Sequence, residues 1–333
     1  MDQLPVRPAT IEALANAVYP SFAMLAAMQL DVFTALGDGP LNAQQVAKAV
    51  DIDPRRTAAL LHALVAIGLL KAEGDAFSNS GEAEQFLVRG RPGYLGMRHH
   101  AYRRRWASMF QVAETVRTGK PQGRMDYSGM PSDARESFYR GTYTEALAAG
   151  RDLAARQELS RHARLIDVGG GSGGVGIALA QAWPHLQITI ADLPANVPLA
   201  RSYVAEAGLS ERVTVKANDI IESPIEGAYD IAVMRGVIPV LTPDQVRKAL
   251  SNVYRALVSG GSLYVMGWIL DDTRTSPLIY ATYNLLFIND YDEAQLYTEQ
   301  EHRAWLSEAG FRAIQREVSA GAYAADYIVA HKP

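Results

Sequence analysis

Length, composition and charge limit what kind of protein this chain can be. Its 333 residues suffice for one large or two ordinary domains, and 48% hydrophobic content is typical of a globular protein. There are 32 Lys and Arg against 36 Asp and Glu, a net charge of −4 that gives no general attraction to nucleic acid or anionic lipid. The chain has no cysteine, which excludes disulfide frameworks, thiolate metal centres and cysteine nucleophiles, and we predict no metal site.

The first 90 residues are predicted to be mainly helical. Residues 13–30 are uncharged but contain polar residues and Pro20, so we expect a helical stretch broken at that proline and not a membrane span. Residues 1–10 contain no apolar run of the secretory kind, which predicts a cytoplasmic protein. Asp53 and Pro54 have the preferences of an N-cap and a first helical position, and they predict a helix that ends before Gly68.

Helices followed by short runs at 69–71 and 77–78 resemble a winged helix, which raises the alternative of a DNA-binding regulator. Residues 1–90 carry six Lys and Arg against ten Asp and Glu, a net charge of −4. Phosphate binding needs a positive surface. We therefore interpret this region as a subunit interface and expect no nucleic-acid partner.

From residue 164 onward, predicted strands and helices alternate. Such alternation predicts a parallel, doubly wound sheet whose ligand lies at the carboxyl ends of the strands. The last two apolar runs, separated by Ala320-Gly321, predict an antiparallel hairpin. The predicted strands are 164–168, 186–191, 212–216, 229–234, 262–268, 311–318 and 323–331, and the predicted helices are 175–183, 195–207 and 243–257.

A glycine-rich segment follows the first of these strands. Residues 167–174 read Asp-Val-Gly-Gly-Gly-Ser-Gly-Gly. The glycines allow a sharp turn and a close approach of a ligand to the main chain. Their spacing fits both a dinucleotide site and an S-adenosylmethionine site, so an NAD-dependent dehydrogenase stays open at this point.

Three acidic residues accompany the glycines. Asp192 ends the second strand, where a carboxylate accepts hydrogen bonds from ribose hydroxyls, and Asp219 follows the third strand, where an acid can meet an adenine amino group. Asp167 precedes the glycines, near the expected place of a positively charged amino acid moiety. Three acids around one pocket suit a cationic sulfonium better than a pyrophosphate, although each could be only an N-cap or a turn acid.

The whole chain resembles the dimeric, two-domain S-adenosylmethionine-dependent O-methyltransferases of plant and bacterial small-molecule metabolism. The resemblance is carried by Leu-Ile-Asp-Val-Gly-Gly-Gly-Ser-Gly at 165–173, Ala-Asp-Leu-Pro at 191–194 and Asn-Asp-Ile at 218–220, with support from 106–121 and 308–311. It implies an α/β fold with a Rossmann-like methyltransferase domain at 121–333, built on a mostly parallel seven-stranded sheet. Before it, at 1–120, the resemblance implies an all-helical or winged-helix dimerisation domain with linker helices.

The same resemblance implies S-adenosylmethionine as cofactor, a homodimer and a small-molecule substrate. The residues that it places at the cofactor are Asp167, Gly169, Gly171, Gly173, Asp192, Leu193, Asp219, Ile220 and Arg235.

The chain departs from this family at the general base. The family has a basic residue after the fourth strand and, four positions later, a histidine that takes the proton from a substrate hydroxyl. Arg235 matches the basic residue, whereas Pro239 stands in place of the histidine and Leu296 in place of a second acid. Proline accepts no proton, so this mechanism does not carry over, and Tyr139 and Tyr143 remain as catalytic candidates.

The substrate candidates are mostly aromatic, in a chain with 16 Tyr against 8 Phe. Aromatic walls suit a sulfonium product through cation–π attraction, although each ring could instead only pack in a core or interface. Arg235 could stay near the cofactor or face a substrate carboxylate. The predicted substrate residues are Tyr102, Trp106, Arg235, Tyr280, Tyr283, Asn284 and Phe287.

A thioether loses no proton on methylation, so alignment and water exclusion could suffice for its transfer. With Pro239 and the segment 138–143, the chain resembles the bacterial methylthiohydroxybutyrate methyltransferases of dimethylsulfoniopropionate synthesis, which S-methylate 4-methylthio-2-hydroxybutyrate. Two alternatives stay open. One is O- or C-methylation of a small phenol or 2-oxo acid, with Tyr143 or a linker histidine as base. The other is a family member that uses S-adenosylmethionine without transferring its methyl group.

Overall fold

The computed structural model describes residues 7–318 and 326–333, and the chain divides into two compact units between Arg103 and Arg104. The first unit combines short helices with a three-stranded antiparallel sheet of order β1-β3-β2. Its elements are α1 (Ala9–Asn16), α2 (Val18–Gln29), α3 (Val32–Ala35), β1 (Leu41–Asn42), α4 (Ala43–Ala49), α5 (Pro54–Ala66), β2 (Leu70–Glu73), β3 (Ala76–Asn79) and α6 (Gly81–Phe86), with the 3-10 turn Gly96–Arg98 and the start of α7 (His99–Met109).

The predicted helical stretch interrupted by proline is present as α1 and α2. The helix breaks at Ala17, three residues before Pro20, which lies in the first turn of α2, where its missing N–H is not needed. The stretch Ala9–Gln29 is long and apolar enough to cross a membrane by length and composition, but a single such helix close to the N-terminus is weak evidence for a membrane span. The predicted N-cap at Asp53 is confirmed, since its side chain accepts a hydrogen bond from the Arg55 N–H at 2.8 Å.

The second unit is built on a seven-stranded sheet of order β6-β5-β4-β7-β8-β10-β9, in which β10 runs against its two neighbours. The predicted α/β class with a mostly parallel sheet is therefore confirmed. Its elements are α8 (Val112–Thr118), α9 (Ser132–Arg156), β4 (Arg164–Val168), α10 (Gly174–Ala182), β5 (Gln187–Asp192), α11 (Val197–Glu206), β6 (Val213–Ala217), β7 (Tyr229–Arg235), α12 (Pro243–Ala256), β8 (Leu257–Gly267), α13 (Leu278–Asp290), α14 (Glu299–Ala309), β9 (Arg312–Glu317) and β10 (Asp326–His331), with the 3-10 turn Ile238–Val240.

Helices cover both faces of this sheet, which is why the central strands read as continuous apolar runs. On β4, Ile166 and Val168 pack into the core with α12 and α14, whereas Leu165 packs into the core with α9, α10 and α11. The predicted C-terminal pair is present as β9 and β10, and its predicted turn at Ala320-Gly321 lies outside the described residues. This topology brings the ends of β4, β5, β6 and β7 to one edge of the sheet.

Candidate active site

The glycine loop, residues 169–174, leaves β4 and enters α10. Gly169 and Gly171 have φ of +66° and +57°, a region that favours glycine. A Cβ on Gly171 would lie 2.6 Å from Tyr139 Cε1, and one on Gly173 would lie 2.6 Å from Ile190 Cδ1. Gly173 thus lets α10 pack against β5, while Gly169 and Gly171 line a cavity at the edge of the sheet.

Asp167 is completely buried below this loop. Its Oδ2 accepts a hydrogen bond from the Gly176 N–H at 3.0 Å, whereas its Oδ1 is buried with no hydrogen-bond partner among the described residues. Burial, opposed by the bond from Gly176, raises the pKa of Asp167 to about 7. Asp167 is among the residues that line the cavity, and a buried carboxylate oxygen without a donor fits a cationic group bound there.

Asp192, at the end of β5, holds the loop in place. Its Oδ2 accepts the Gly171 N–H at 2.6 Å, and its Oδ1 accepts the Leu193 N–H at 2.7 Å and Asn196 Nδ2 at 2.6 Å. Asn196 also donates to the Tyr139 hydroxyl at 2.7 Å. Asp192 therefore has the role of a turn acid, which the sequence left open. It also lines the cavity together with Leu193.

Asp219 follows β6, and its Oδ1 accepts the Ile221 N–H at 2.9 Å. Like Asp192, it combines the geometry of a turn acid with a place on the cavity wall, where Ile220 adjoins it. Of the nine residues predicted for the cofactor, the structure places all except Gly173 along one cavity of about 650 Å³.

Beyond the glycine loop, the cavity is walled by aromatic rings. We call this part the aromatic half, in contrast to the cofactor half around the acids and glycines. The Trp268 ring centre lies 5.2 Å from that of Tyr283 and 5.7 Å from that of Phe287. The two hydroxyls of Tyr127 and Tyr291 are 2.6 Å apart. The aromatic half consists of Tyr127, Phe138, Trp268, Tyr283, Phe287 and Tyr291.

Ion pairs are buried at the same end of the cavity. Arg104 Nη1 lies 3.0 Å from Asp290 Oδ2, and Ser108 donates to Asp290 Oδ1 at 2.9 Å. Glu145 lies between the guanidinium groups of Arg105 and Arg235. Both carboxylates have cationic partners, so these ion pairs stabilise this part of the cavity wall.

The two positions at which the chain departs from the family are occupied by buried residues without acid–base groups. Pro239 is buried in the 3-10 turn Ile238–Val240, and it is not among the described residues that line the cavity. Leu296, at the position of the second family acid, is fully buried in a small apolar cluster with Leu270 and Phe287. None of the described lining residues is a histidine.

Five residues predicted for catalysis or substrate binding lie away from the lining that the structure describes. Tyr102 packs against the core of the first unit, and Trp106 is half-buried on α7. Tyr143 stacks on Tyr203 with ring centres 4.2 Å apart. Tyr280 packs in the cluster around Leu296, and Asn284 accepts the Leu296 N–H at 2.6 Å. Their contact with a substrate stays a prediction, whereas Tyr139, Tyr283, Phe287 and Arg235 do line the cavity.

Several lining residues were not predicted. Tyr127 lies in the loop after α8, Glu145 on α9, and Asp290 at the end of α13. The sequence carried one usable signal for them. Asn289 and Asp290 end an otherwise apolar helix, and polar residues in such a position are worth inspecting because they are costly to bury without partners.

Comparisons with known proteins agree with this geometry. The O-methyltransferase domain family matches residues 111–312, and the O-methyltransferase dimerisation domain family matches residues 12–89. A 3-hydroxy-5-methyl-1-naphthoate 3-O-methyltransferase of Streptomyces sahachiroi is 31% identical, over 91% of this chain and 89% of the relative. The N,N-dimethyltransferase OxyT of Streptomyces rimosus is 32% identical, over 91% of this chain and 90% of the relative. Human N-acetylserotonin methyltransferase, solved in complex with S-adenosylmethionine, shares the fold with a TM-score of 0.83 at 24% identity, over 100% of this chain and 99% of that chain.

Fold, site and relatives together define an enzyme that methylates with S-adenosylmethionine as cofactor. The chain belongs to the O-methyltransferase family and carries that family's dimerisation domain. The names of its relatives cover oxygen and nitrogen as the methylated atom, so membership of the family does not by itself fix the acceptor.

Proposed function

We propose that this enzyme methylates a small organic acceptor in the aromatic half of the cavity, without a protein base at the position where the family has its histidine. S-adenosylmethionine, when bound, supplies an electrophilic methyl group on a sulfonium. The observation that carries the proposal is Pro239, a buried residue without a proton acceptor where the family has its histidine. What the chain contributes is then alignment of the acceptor and exclusion of water.

We further propose which residues hold the cofactor. The unpartnered Oδ1 of Asp167 fits its ammonium group, and Asp192 and Asp219 fit its ribose and adenine. Gly169, Gly171, Leu193 and Ile220 form the cradle, and Gly173 sets the course of the loop. Arg235 lies at the junction of the two halves, where its charge acts on Asp167.

The tyrosine candidates are better suited to positioning than to proton transfer. Burial raises the pKa of Tyr139 and, to a smaller extent, of Tyr143. A phenol with a raised pKa stays neutral near pH 7 and is a poor proton acceptor. Tyr139 instead bonds to Asn196 and packs against the glycine loop, so we assign it a role in shaping the cofactor half.

A thioether is the acceptor that this chemistry suits most directly, and 4-methylthio-2-hydroxybutyrate is the candidate from the sequence. Its sulfur needs no base, and the rings of Trp268, Tyr283 and Phe287 would stabilise the sulfonium product through cation–π attraction. No relative reported above acts on sulfur, so this acceptor rests on the chemistry of the site alone.

The second candidate is a phenol or 2-oxo acid acidic enough to ionise without protein help. The relative from Streptomyces sahachiroi supports it, because its name describes transfer to a hydroxyl of an aromatic acid. An acceptor of this kind would bring its own negative charge to a wall that contains the mostly buried guanidinium of Arg105 and the partly exposed guanidinium of Arg104.

For the molecule as a whole, we propose a cytoplasmic homodimer. Residues 1–120 would form a winged-helix dimerisation domain with linker helices, and residues 121–333 the methyltransferase domain. The match of residues 12–89 to the dimerisation family supports this arrangement.

Mass spectrometry of reaction products tests the function. Purified protein and S-adenosylmethionine would be incubated separately with 4-methylthio-2-hydroxybutyrate, 3-hydroxy-1-naphthoate and a 2-oxo acid, from about pH 6 to about pH 9. A dimethylsulfonio product formed at a rate that does not rise with pH supports the thioether. A methoxy product from the phenol, or a C- or O-methylated product from the 2-oxo acid, supports the second candidate if its rate follows ionisation of the acceptor. Cofactor binding without methylation of any acceptor would contradict the proposal and indicate a member that uses the cofactor otherwise.

A further inference from the structure

Two tyrosine hydroxyls meet in the wall of the aromatic half. Tyr127 lies in the loop after α8, and Tyr291 directly follows α13. Their hydroxyl oxygens are 2.6 Å apart, a hydrogen-bond distance at which either oxygen could be the donor. Both residues are partly buried, and both line the cavity. We call these two residues the tyrosine pair.

The tyrosine pair has one more proton than its shared hydrogen bond uses. Each phenol carries one O–H donor, and burial raises the pKa of both Tyr127 and Tyr291, so both stay protonated near neutral pH. One O–H donates to the other hydroxyl, and the second O–H is left without an acceptor among the described residues. A donor in a partly desolvated wall is costly to leave unpaired, so the pair favours a ligand atom that accepts a hydrogen bond.

Neighbouring contacts fix the position of both hydroxyls. The Tyr291 ring stacks on Phe287 with ring centres 6.0 Å apart, and on Tyr127 with ring centres 6.5 Å apart. The Met125 N–H donates to Asp290 O at 3.0 Å, which joins the two chain segments close to both tyrosines. Because the hydroxyls are already held in place, little conformational entropy is lost when one of them donates to a ligand.

The charges that act on the tyrosine pair point to an uncharged ligand atom. The positive charge of Arg104 lowers the pKa of both tyrosines, whereas the negative charge of Asp290 raises it. Arg104 and Asp290 are paired with each other at 3.0 Å, so their effects on the pair oppose one another. A neutral carbonyl oxygen matches this place, because it accepts hydrogen bonds without donating and needs no counter-ion.

We propose that the tyrosine pair donates a hydrogen bond to a carbonyl oxygen of the methyl acceptor, and that the acceptor is therefore a ketone or a related carbonyl compound. The hydroxyl that donates contacts the substrate, and the other hydroxyl acts as a positioning group that orients it. The inference rests on the proposed function for the word acceptor, and it adds the substrate class. It applies to a 2-oxo acid, and to a phenol or thioether that also carries a ketone group.

Isothermal titration calorimetry on the full chain loaded with S-adenosylhomocysteine tests the site without any transfer. Two matched pairs of compounds are the probes, each a ketone and its analogue with a methylene group in place of the carbonyl. One is 4-hydroxyacetophenone with 4-ethylphenol, and the other is 4-methylthio-2-oxobutyrate with 4-methylthiobutyrate. At about pH 6 both phenols are neutral. In at least one pair of compounds, we expect the ketone to bind about fivefold more tightly than its analogue.

Variants that remove a hydroxyl and keep the ring separate hydrogen bonding from packing. The double variant Tyr127→Phe/Tyr291→Phe should bring ketone and analogue to nearly equal affinity. The matched control is Tyr203→Phe on α11, outside the lining that the structure describes, and it should keep the whole preference. A role of the tyrosine pair in packing alone predicts that the double variant keeps the preference too, since both rings remain. Unchanged affinity for S-adenosylhomocysteine and an unchanged circular dichroism spectrum control for folding.

Several results would overturn the proposal. They are equal binding of ketone and analogue in both pairs of compounds, no binding of either ketone, and a preference that survives in the double variant. Equal binding of a ketone and an analogue that are both methylated would defeat this inference and leave the proposed function standing. A ketone preference without a methylated product from any acceptor would instead defeat the proposed function and leave the hydrogen-bonding site standing.

Discussion

At the scale of single residues, burial controls the ionisation of Asp167. Its pKa of about 7, against an ordinary value of 3.8, means that the folded chain keeps a proton which the unfolded chain has already released. This carboxyl therefore contributes stability that is complete below about pH 4 and is lost as pH rises through about pH 7. The ionised form of Asp167 is the form that suits a cationic cofactor, and it is also the form that burial in the folded protein disfavours.

We predict that Asp167→Asn weakens S-adenosylmethionine binding at least about tenfold at neutral pH, because the partner of the ammonium group loses its charge. The same change should raise the melting temperature of the cofactor-free protein above about pH 7, since no buried charge then forms. In the unsubstituted protein, cofactor affinity should fall as pH drops below about 7. Calorimetric titration and thermal melts across this range measure all three effects.

A matched control for this substitution is Asp230→Asn. Asp230 accepts the Ala163 and Arg164 N–H groups at 2.7 and 2.8 Å, and it is not among the described residues that line the cavity. Its replacement should leave cofactor affinity unchanged. If Asp167→Asn binds the cofactor as tightly as the unsubstituted chain, Asp167 is not a cofactor ligand.

At the scale of elements, α13 shows how a polar helix end positions the aromatic wall. Asn289 is fully buried, and its Nδ2 donates to Ser108 O at 3.1 Å and to Ser108 Oγ at 2.7 Å. Its Oδ1 accepts a hydrogen bond from Thr115. The Gly123 N–H donates to Asn289 O at 2.9 Å, and a Cβ on Gly123 would lie 2.5 Å from Ser108 Oγ. Through its side-chain amide Asn289 thus joins α13 to the end of α7 and to α8, and through its backbone carbonyl it joins α13 to the loop that carries Tyr127.

We predict that Asn289→Ala lowers the free energy of unfolding by about 2–4 kcal/mol, because Thr115 loses the acceptor of its buried hydroxyl and Ser108 loses a donor to its Oγ. Denaturant titration would measure the loss. Thr282→Ala, at an exposed position of the same helix where the hydroxyl donates to the Leu278 and Ile279 carbonyl groups at 2.9 and 3.2 Å, should change stability by less than about 0.5 kcal/mol. Equal effects of the two substitutions would show that the amide network does not hold the element in place.

The helices and strands also show which parts of the fold can be predicted from local patterns in the sequence. The strands β4 to β7 and the helix after Thr242 were predictable, because continuous apolar runs and an N-cap followed by proline are local signals. The residue at which the chain turns between α1 and α2 was not predictable, because a proline indicates that a helix is interrupted but not at which residue before it the break falls.

At the scale of the molecule, the first unit leaves large apolar side chains exposed on α1 and α2. Ile11 and Leu14 are each 69% exposed and Tyr19 is 67% exposed. Such a surface indicates an interaction site, and the dimerisation family that matches residues 12–89 indicates a second copy of the chain as its partner.

We predict that the protein sediments as a dimer at micromolar concentration and that Leu14→Glu shifts it toward the monomer, because a charge in an apolar interface lacks a partner. Val318→Glu, at an apolar position that is 68% exposed in the second unit, should leave the dimer intact. Analytical ultracentrifugation distinguishes these outcomes. A monomeric unsubstituted protein, or a dimer that tolerates Leu14→Glu, would contradict the proposed interface.

The sequence by itself determined the fold class, the cofactor and the absence of the family histidine. Each of these depends on residues close together in the chain, such as the glycines with Asp167, or on a single position such as Pro239. Tertiary structure alone decided which aromatic residues line the cavity, excluding Tyr280 and including Tyr127. It also decided that Arg105, Glu145 and Arg235 meet, since these residues come from three separate elements. The spacing of residues along a helix or strand reveals which face is buried, but only packing reveals what that face meets.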